Sequence, residues 1–178
     1  KATLMHLSDE EEAHNISLSR FESMLKTNKV FFFDSEEFEE IILHYLDIGK
    51  TTLAKKALKL ALDQHPKSTG LKLVQVEMLI YEDKLEQAEK MLNDLYAIEP
   101  QNEEIYIQKA NIYSKRDQHE KAVELLKIAL QYTDDFADVY NLIGMEYLFM
   151  DQLELAKANF ISCLEEDIED QSALYNVV

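Results

Sequence analysis

The chain has 178 residues, of which 47% are apolar, and its formal net charge at pH 7 is −17. The apolar share excludes a disordered chain, and only 3 Gly and 2 Pro disfavour strands joined by tight turns. The negative charge argues against nucleic acid and anionic lipid as partners, because both attract Lys and Arg. We therefore expect a helical, folded protein that binds no nucleic acid.

Residues that carry chemistry are sparse and scattered. Cys163 is the single cysteine, so neither an internal disulfide nor a cysteine-based zinc site is expected. No His pair has metal-ligand spacing, and no glycine-rich phosphate loop or nucleophile signature occurs. We predict no enzyme activity, no cofactor and no metal. No stretch approaches the roughly 18 apolar residues that span a bilayer, so no direct membrane insertion is expected. A cytoplasmic location is predicted, with the cell envelope as the alternative if a signal segment was removed.

The N-terminal region, residues 1–34, is predicted to hold one helix and a short connector. Ser8–Lys26 has an apolar stripe at helical spacing, and the apolar segment Val30–Phe33 then tucks against the helices that follow. Arg20 stands where the later segments have a small residue. Residues 1–34 therefore do not match the repeat well, and we interpret them as a capping helix and apolar connector, with a degenerate half-repeat as the alternative for the helix.

A period of 34 residues organises the chain from residue 35 to residue 170. Alanines recur at this step, and a large apolar residue follows each of them by four positions. The alanines are Ala54, Ala88, Ala122 and Ala156, and the large residues are Leu58, Leu92, Leu126 and Phe160. A small side chain at a fixed point lets paired helices approach closely, whereas a large one would overpack at ~1–3 kcal/mol. Cys163 takes such a small position and is predicted to be buried and inert.

Each period is predicted to form two amphipathic helices with a tight turn between them. The first helices are predicted at Ser35–Asp47, Thr69–Glu82, Glu103–Lys115 and Ala137–Phe149. The second are predicted at Thr52–Gln64, Leu85–Ile98, Glu120–Tyr132 and Leu153–Glu165. The turns contain residues that tolerate a left-handed backbone, namely Gly49, Asp83, Asp117 and Asp151. Asp34 with Glu37, and Asn102, are predicted helix caps.

The pattern resembles the tetratricopeptide repeat, in which aromatic residues, small residues, a Tyr and a Pro recur at set places in 34 residues. The third period carries this pattern at Tyr106, Ala110, Tyr113, Ala122, Leu126 and Ala129. Lys72 and Leu95 depart from it in the second period. The resemblance implies an all-α fold of antiparallel helix pairs stacked into a right-handed α-solenoid. The implied repeats are 35–68, 69–102, 103–136 and 137–170.

The last residues, 171–178, are predicted to start a truncated fifth repeat. Ala173–Val178 has the sequence Ala-Leu-Tyr-Asn-Val-Val, which echoes Asp-Val-Tyr-Asn-Leu-Ile at Asp138–Ile143. The step between the two segments is 35 residues, so one extra residue falls in the junction. We interpret the chain as a piece of a longer, bacterial-type array of such repeats.

In the tetratricopeptide family the first helix of each repeat lines an inner, concave face. The resemblance therefore implies a protein-binding groove formed by Glu36, Glu39, Glu40, Leu43, Leu73, Glu77, Ile80, Tyr81, Ile107, Asn111, Lys115, Asn141, Met145 and Phe149. It also turns Glu104 and Asp138 inward. The function implied is a non-catalytic protein–protein interaction scaffold. Its ligand would be an apolar and basic peptide or helix, held in an acid-rimmed groove.

Two alternatives stay open from the residues alone. In the first, the carboxylates are solvated surface and the apolar residues contact neighbouring helices. In the second, the segment is a structural spacer or self-associates through its exposed repeat ends. Light scattering over a range of concentrations separates self-association from binding to another protein.

Overall fold

The computed structural model describes the backbone of residues 2–27 and 29–175, and the side chains of residues 15–27 and 29–166. Within this part of the chain there are nine α-helices and no strand. The helices are α1 (Ala2–Thr27), α2 (Ser35–Asp47), α3 (Thr51–Gln64), α4 (Thr69–Tyr81), α5 (Leu85–Ile98), α6 (Glu103–Lys115), α7 (His119–Ala129), α8 (Phe136–Phe149) and α9 (Leu153–Tyr175). The predicted all-α fold class is confirmed, and helix pairs are its repeating element.

Most helices begin and end where the 34-residue period places them. The bounds of α2, α5 and α6 agree with the prediction, and those of α3, α4 and α8 differ by one residue at one end. Three helices differ more. α7 ends at Ala129 rather than Tyr132, α1 begins at Ala2, and α9 continues past Glu165 to Tyr175.

The turn between the two helices of each pair has a left-handed residue at the predicted position. The φ angles of Asp83, Asp117 and Asp151 are 59°, 55° and 57°, and that of Gly49 is 71°. Asp is among the few residues that adopt this conformation at a low energetic cost, since its short polar side chain bonds to the local backbone. The recurring Asp therefore ends one helix and starts the next within a few residues.

The predicted helix caps are also present. The Glu37 amide donates to the Asp34 carboxylate at 2.8 Å, and the Asp34 amide donates to the Glu37 carboxylate at 3.0 Å. These two reciprocal bonds form a capping box at the start of α2. At the start of α6, the Asn102 side chain accepts a hydrogen bond from the Glu104 amide at 3.1 Å.

The chain divides into two compact units, Lys1–Gln75 and Val76–Val178, and the boundary falls inside α4. The first unit has an aromatic core. The Phe33 ring lies 6.1 Å from that of Phe21 and 5.2 Å from that of Phe38, and the Phe21 ring lies 6.0 Å from that of Tyr45. All four side chains are almost completely buried.

Arg20 of α1 bonds to both α2 and the connector. These contacts explain why this position has a large charged residue. Its guanidinium bonds to Glu37 at 3.1 Å and to the Phe32 carbonyl at 3.0 Å, and lies 4.7 Å from the centre of the Phe33 ring. Ser17 adds a hydrogen bond to the same Glu37 carboxylate at 2.8 Å. A small residue at position 20 would make none of these bonds.

The connector differs in part from the prediction that it tucks in as a whole. Phe33 is fully buried, whereas Val30 and Phe32 are 79% and 66% exposed. The Gln64 side chain donates to the Phe31 carbonyl at 2.9 Å and accepts from the Phe33 amide at 3.2 Å. Side chains of Gln64 and Arg20 thus bond three backbone groups of the connector, which needs no partner strand for them.

The second unit has an apolar core in which the small residues of the period are central. Ala122 and Ala129 are fully buried in one cluster with Leu126 of α7 and with Val139 and Ile143 of α8. The four alanines of the 34-residue step are all at most 1% exposed. Their burial is the predicted reason for small residues at these places, because a larger side chain would push the paired helices apart.

A close approach occurs at Gly144 of α8. A Cβ atom added there would lie 2.6 Å from the Phe160 ring of α9, nearer than real Cβ contacts come.

Two other predictions have different outcomes. Cys163 is only half-buried, so the prediction of a buried core position is wrong. The repeat boundaries themselves, including 171–178, stay predictions, and residues 176–178 lie outside the described part of the chain.

Candidate protein-binding surface

The predicted groove residues lie on α2, α4, α6 and α8, the first helices of the four predicted repeats. Within each helix they are spaced by about four residues, so they share one face. Asn141, Met145 and Phe149 form such a row on α8. The two compact units contribute separate parts of this set.

In the first unit the predicted residues are mainly acidic. Glu36 and Glu40 are exposed, Leu43 is 37% exposed, and Leu73 is only 7% exposed. Leu73 therefore offers little surface to a ligand, and packing is its main role. Two acidic side chains and one leucine form the accessible part.

Glu39 is half-buried beside the first turn of α4. Its carboxylate contacts the backbone at Gly70, where a side chain would clash with it. Burial and the nearby charge of Glu36 raise the pKa of the Glu39 carboxyl.

In the second unit the predicted set includes large exposed apolar side chains. Tyr81 is 63% exposed, Phe149 59% and Met145 39%. Asn111, Lys115 and Asn141 are exposed as well, Ile107 is half-buried, and Ile80 is only 7% exposed. The second unit thus presents exposed aromatic and apolar side chains on α4 and α8 and exposed polar side chains on α6. Ile80 belongs to the packing beneath them.

Carboxylates on α4 and α8 affect the Glu104 carboxyl of α6. The pKa of the Glu104 carboxyl is raised by burial first, and then by the charges of Glu77, Glu103 and Asp138. The pKa of Asp138 is also raised, by burial and by the charge of Asp135. Like charges held near one another disfavour ionisation of each, so this cluster favours a positive charge nearby.

Gln108 holds Glu104 in place. This glutamine is 3% exposed, and its side-chain amide donates to the Glu104 carboxylate at 2.9 Å. The bond partly offsets the rise in the pKa of Glu104. A carboxylate with a fixed position presents its charge in a fixed direction, which favours specific recognition over diffuse attraction.

We use the name helix-A surface for the exposed side chains at the predicted inward positions of the second unit, together with the acidic residues on the same helices. It consists of Glu77, Tyr81, Glu104, Asn111, Lys115, Asp138, Asn141, Met145 and Phe149. The family resemblance alone singled out their positions. Their exposure, and the charge effects on Glu104, come from the tertiary structure.

Phe149 also has a partner within the chain that the sequence did not indicate. Its ring stacks on His119 at a centroid distance of 5.2 Å, and His119 shares a 2.8 Å hydrogen bond with Glu146, which is 8% exposed. One period earlier the corresponding residues are Leu85 and Ile112, both buried. His119 and Glu146 thus stand where the preceding period has two apolar side chains. Only an alignment of both helices at the 34-residue step could have shown this substitution from the sequence.

Metal-binding and membrane-spanning features are missing from the part of the chain that the structure describes. Among these residues, no group of three or more His, Cys, Asp or Glu side chains has the arrangement of a metal site. Every helix in the same ranges is too short or too polar to cross a membrane.

Comparison with known structures identifies proteins of the same fold. TTC0263, a thermophilic TPR protein in Thermus thermophilus, is 21% identical with a TM-score of 0.70, over 99% of this chain and 97% of that chain. A crystal structure of MamA is 18% identical with a TM-score of 0.59, over 92% of this chain and 94% of that one. A further MamA structure, from MSR-1, is 18% identical with a TM-score of 0.56, over 88% and 95% of the two chains. At these identities the likeness concerns the fold alone.

Comparison with family models agrees with the repeat pattern. No curated protein matches the chain in sequence. Two models, each described as tetratricopeptide repeat, match residues 79–145 and 137–167, which together make up half of the chain. With the 34-residue period, the buried alanines and the paired helices, these matches show that the chain belongs to the tetratricopeptide-repeat family.

Proposed function

We propose that this protein is a non-catalytic interaction scaffold whose helix-A surface binds a protein segment that is both apolar and positively charged. Tetratricopeptide-repeat proteins bind proteins or peptides, and the finer assignment of ligand chemistry rests on the second unit. The observation that carries it is one juxtaposition. The charges of Glu77 on α4 and Asp138 on α8 raise the pKa of Glu104 on α6. Exposed Tyr81 lies on the same helix as Glu77, and exposed Met145 and Phe149 lie on the same helix as Asp138.

The two parts of this surface have different roles in the proposal. The apolar side chains supply affinity, because exposed apolar area gathered in one patch gains free energy when it is buried. The carboxylates supply orientation and a faster encounter with Lys or Arg. A cationic group between them also relieves the repulsion that raises the pKa of Glu104.

The charge requirement is tested with two labelled amphipathic peptides of about 18 residues, one of Leu and Lys and one of Leu and Glu. Fluorescence anisotropy measures their binding to the whole chain. We expect the Leu/Lys peptide to bind, and the Leu/Glu peptide to bind at least about ten-fold more weakly. Raising the salt from about 50 to about 300 mM should weaken the Leu/Lys complex, because ions screen exposed charges.

The location is tested with two sets of variants that change the net charge equally. Glu77→Gln, Glu104→Gln and Asp138→Asn together remove three charges from the helix-A surface. Glu120→Gln, Glu124→Gln and Glu154→Gln remove three exposed charges from second helices. The first set should weaken the Leu/Lys peptide about ten-fold or more, and the second set by less than about three-fold. Equal losses would mean diffuse attraction by the acidic chain and would contradict the proposal.

The apolar requirement is tested with Tyr81→Ala combined with Met145→Ala. Both side chains are exposed, so helix content should be unchanged while peptide binding weakens. Phe149 is less suitable, because its ring also stacks on His119. Unchanged binding in the double variant would remove these residues from the proposed surface.

Self-association through an exposed repeat end is the second candidate. A specific observation supports it, since Leu153 and Leu164 of α9 are 59% and 60% exposed. The cytoplasmic location remains a prediction, with the cell envelope as its alternative.

A further inference from the structure

Positive charge in this acidic chain is concentrated at and around α3. Residues 50–72 contain 6 of the 18 Lys and Arg residues and only one acidic residue, Asp63. Within α3 itself, Lys55, Lys56 and Lys59 are all exposed. Its partner helix α2 has the opposite character, since five of its 13 residues are acidic and none is Lys or Arg. The first unit therefore pairs an acidic first helix with a basic second helix.

Two of these lysines line a cavity between α3 and α4. The cavity has a volume of about 360 Å³ and lies within the first unit. Its lining residues are Lys55, Leu58, Lys59, Leu62, Asp63 and Gln75. The spacing of the five α3 residues places them on one face of that helix. A cavity of this volume lies within the size range of ligand pockets. We call it the α3 groove.

The 34-residue period gives the α3 groove a counterpart one repeat later. Three lining residues have equivalents at this step: Lys55 corresponds to Glu89, Lys59 to Asn93 and Gln75 to Lys109. These equivalents line a smaller cavity of about 170 Å³ at α5 and α6. There, Glu89 accepts a hydrogen bond from Arg116 at 3.0 Å. Burial lowers the pKa of Lys109, and the negative charge of Glu89 opposes that effect. Opposite charges from the chain itself therefore meet in this second cavity.

Two repeats later, two of the same positions are apolar and closed. Position 55 corresponds to Val123 and position 75 to Ile143, and both belong to one buried core cluster. The later repeats thus complete this place with their own side chains, by opposite charges or by apolar packing. The α3 groove has two cations and a neutral amide at these positions, and about twice the open volume. The side chains that complement it are carboxylates next to an apolar group.

We propose that the α3 groove is a second binding site, which takes an acidic segment of another protein. Carboxylates of the segment bind Lys55 and Lys59, and an apolar side chain between them packs on Leu58 and Leu62. The two lysines are about 6 Å apart along the helix axis, which matches carboxylates at positions i and i+4 of a helical segment. Asp63 ends the positive part of the groove, so the negative charge of the ligand lies toward the start of α3.

The chemistry of the groove favours a carboxylate ligand over a nucleic acid. Lys is a compact point charge, and α3 contains no Arg, the residue that binds phosphate through two parallel hydrogen bonds. The net charge of −17 also repels a polyanion that extends beyond the groove. A short acidic segment contacts the lysines without covering the acidic remainder of the chain. This site takes the opposite charge from the helix-A surface and does not depend on it.

The test uses the labelled Leu/Glu peptide, measured by fluorescence anisotropy on the whole chain without the Leu/Lys peptide. We expect a dissociation constant of about 10–100 μM, weaker than that of the Leu/Lys peptide. The reason is that the groove offers less apolar surface, since Leu58 is 7% exposed and Leu62 half-buried. Raising the salt from about 50 to about 300 mM should weaken the complex.

The location is tested with Lys55→Glu combined with Lys59→Asn, which places the residues of the next repeat in the groove. Because α5 has these side chains at the corresponding positions, helix content should be unchanged. Binding of the Leu/Glu peptide should weaken about ten-fold or more. Lys55→Gln with Lys59→Gln is the milder version and should have an intermediate effect. Lys90→Glu with Lys157→Asn is the control, because it changes the net charge as much as the first variant, at exposed lysines of α5 and α9. It should weaken binding by less than about three-fold.

Far-UV circular dichroism of each variant shows whether the helices remain folded. A wild-type chain that leaves the Leu/Glu peptide unbound at about 500 μM overturns the proposal. Equal losses in the groove and control variants overturn it too, because the attraction would then be diffuse. Tighter binding of an oligothymidine of about 18 nucleotides, lost in the groove variant, would assign the site to nucleic acid instead. The Leu/Lys peptide should bind both variants within about three-fold of each other, so a failure at the helix-A surface is seen separately.

Discussion

Single residues in this chain are constrained most strongly where two helices of a pair cross. Gly144 is the clearest case, because the Phe160 ring occupies the space that its side chain would need. The constraint is steric and not conformational, since Gly144 lies within the helical backbone of α8. The packing of one neighbouring ring therefore decides which residue is tolerated.

Gly144→Ala should destabilise the protein by about 1 kcal/mol. Overpacking costs about 1–3 kcal/mol, and the higher helix propensity of Ala returns up to about 1 kcal/mol. Urea unfolding followed by circular dichroism measures the change. In a Phe160→Leu background the clash is relieved, so the same substitution should become stabilising. An equal loss in both backgrounds would show that the ring is not the cause.

Among the elements, the contact of α7 with α8 departs most from the repeating pattern. His119 and Glu146 form a hydrogen-bonded pair where the previous period has Leu85 and Ile112. The carboxylate is 10% exposed and the imidazole 17%. Breaking such a pair leaves one polar group with little access to water, while an apolar replacement of both does not.

His119→Leu alone should lower the free energy of unfolding by about 1–3 kcal/mol, because Glu146 loses its partner. Adding Glu146→Ile recreates the apolar pair of the preceding period and should recover most of that loss. A double-mutant cycle in urea measures the coupling. Additive effects of the two substitutions would mean that the pair does not act as a unit.

On the scale of the whole molecule, negative charge at the helix-A surface lowers the free energy of unfolding at neutral pH. The pKa values of Glu104 and Asp138 are raised in the folded protein by burial and by neighbouring carboxylates. Below the raised values these groups bind more protons in the folded than in the unfolded state. Their contribution to stability therefore falls as pH rises through the raised pKa values, opposite to the usual carboxylate in an ion pair.

Stability should accordingly gain a contribution from these two groups as pH falls from 7 through their raised pKa values, towards the ordinary carboxyl range of about 4. Glu104→Gln with Asp138→Asn should raise the free energy of unfolding at pH 7 and flatten that rise. Glu154→Gln, an exposed change on α9, is the control. Thermal unfolding at several pH values measures the difference. A double variant less stable than wild type at pH 7 would show that these carboxylates support the fold instead.

Much of the fold could be predicted because its period is local. Three kinds of residue act within one or two turns of helix: the left-handed turn residues, the buried alanines and the capping residues. Their spacing in the sequence therefore predicts where each helix begins and ends. The bounds of α7 and α9 were less predictable. Ala129 and Glu165 have no strong stop signal after them, and neighbouring helices decide how far each helix continues.

The candidate site was predictable in its positions and not in its properties. The family resemblance turned Tyr81, Met145 and Phe149 inward, and they are exposed. It turned Leu73 and Ile80 inward as well, yet both are buried, since exposure depends on how closely the next helix packs. The bond between His119 and Glu146 joins residues 27 apart on different helices, beyond any local signal.

The sequence alone determined the all-α class, the 34-residue unit, the small residues at helix crossings and the acidic character of the chain. These follow from local spacing and composition, which act before any tertiary contact forms. Only the tertiary structure decided which carboxylates raise the pKa of Glu104, which side chains at the predicted inward positions remain accessible, and that α9 continues through the expected break. Each of these depends on distances between residues far apart in the chain, and packing alone sets those distances.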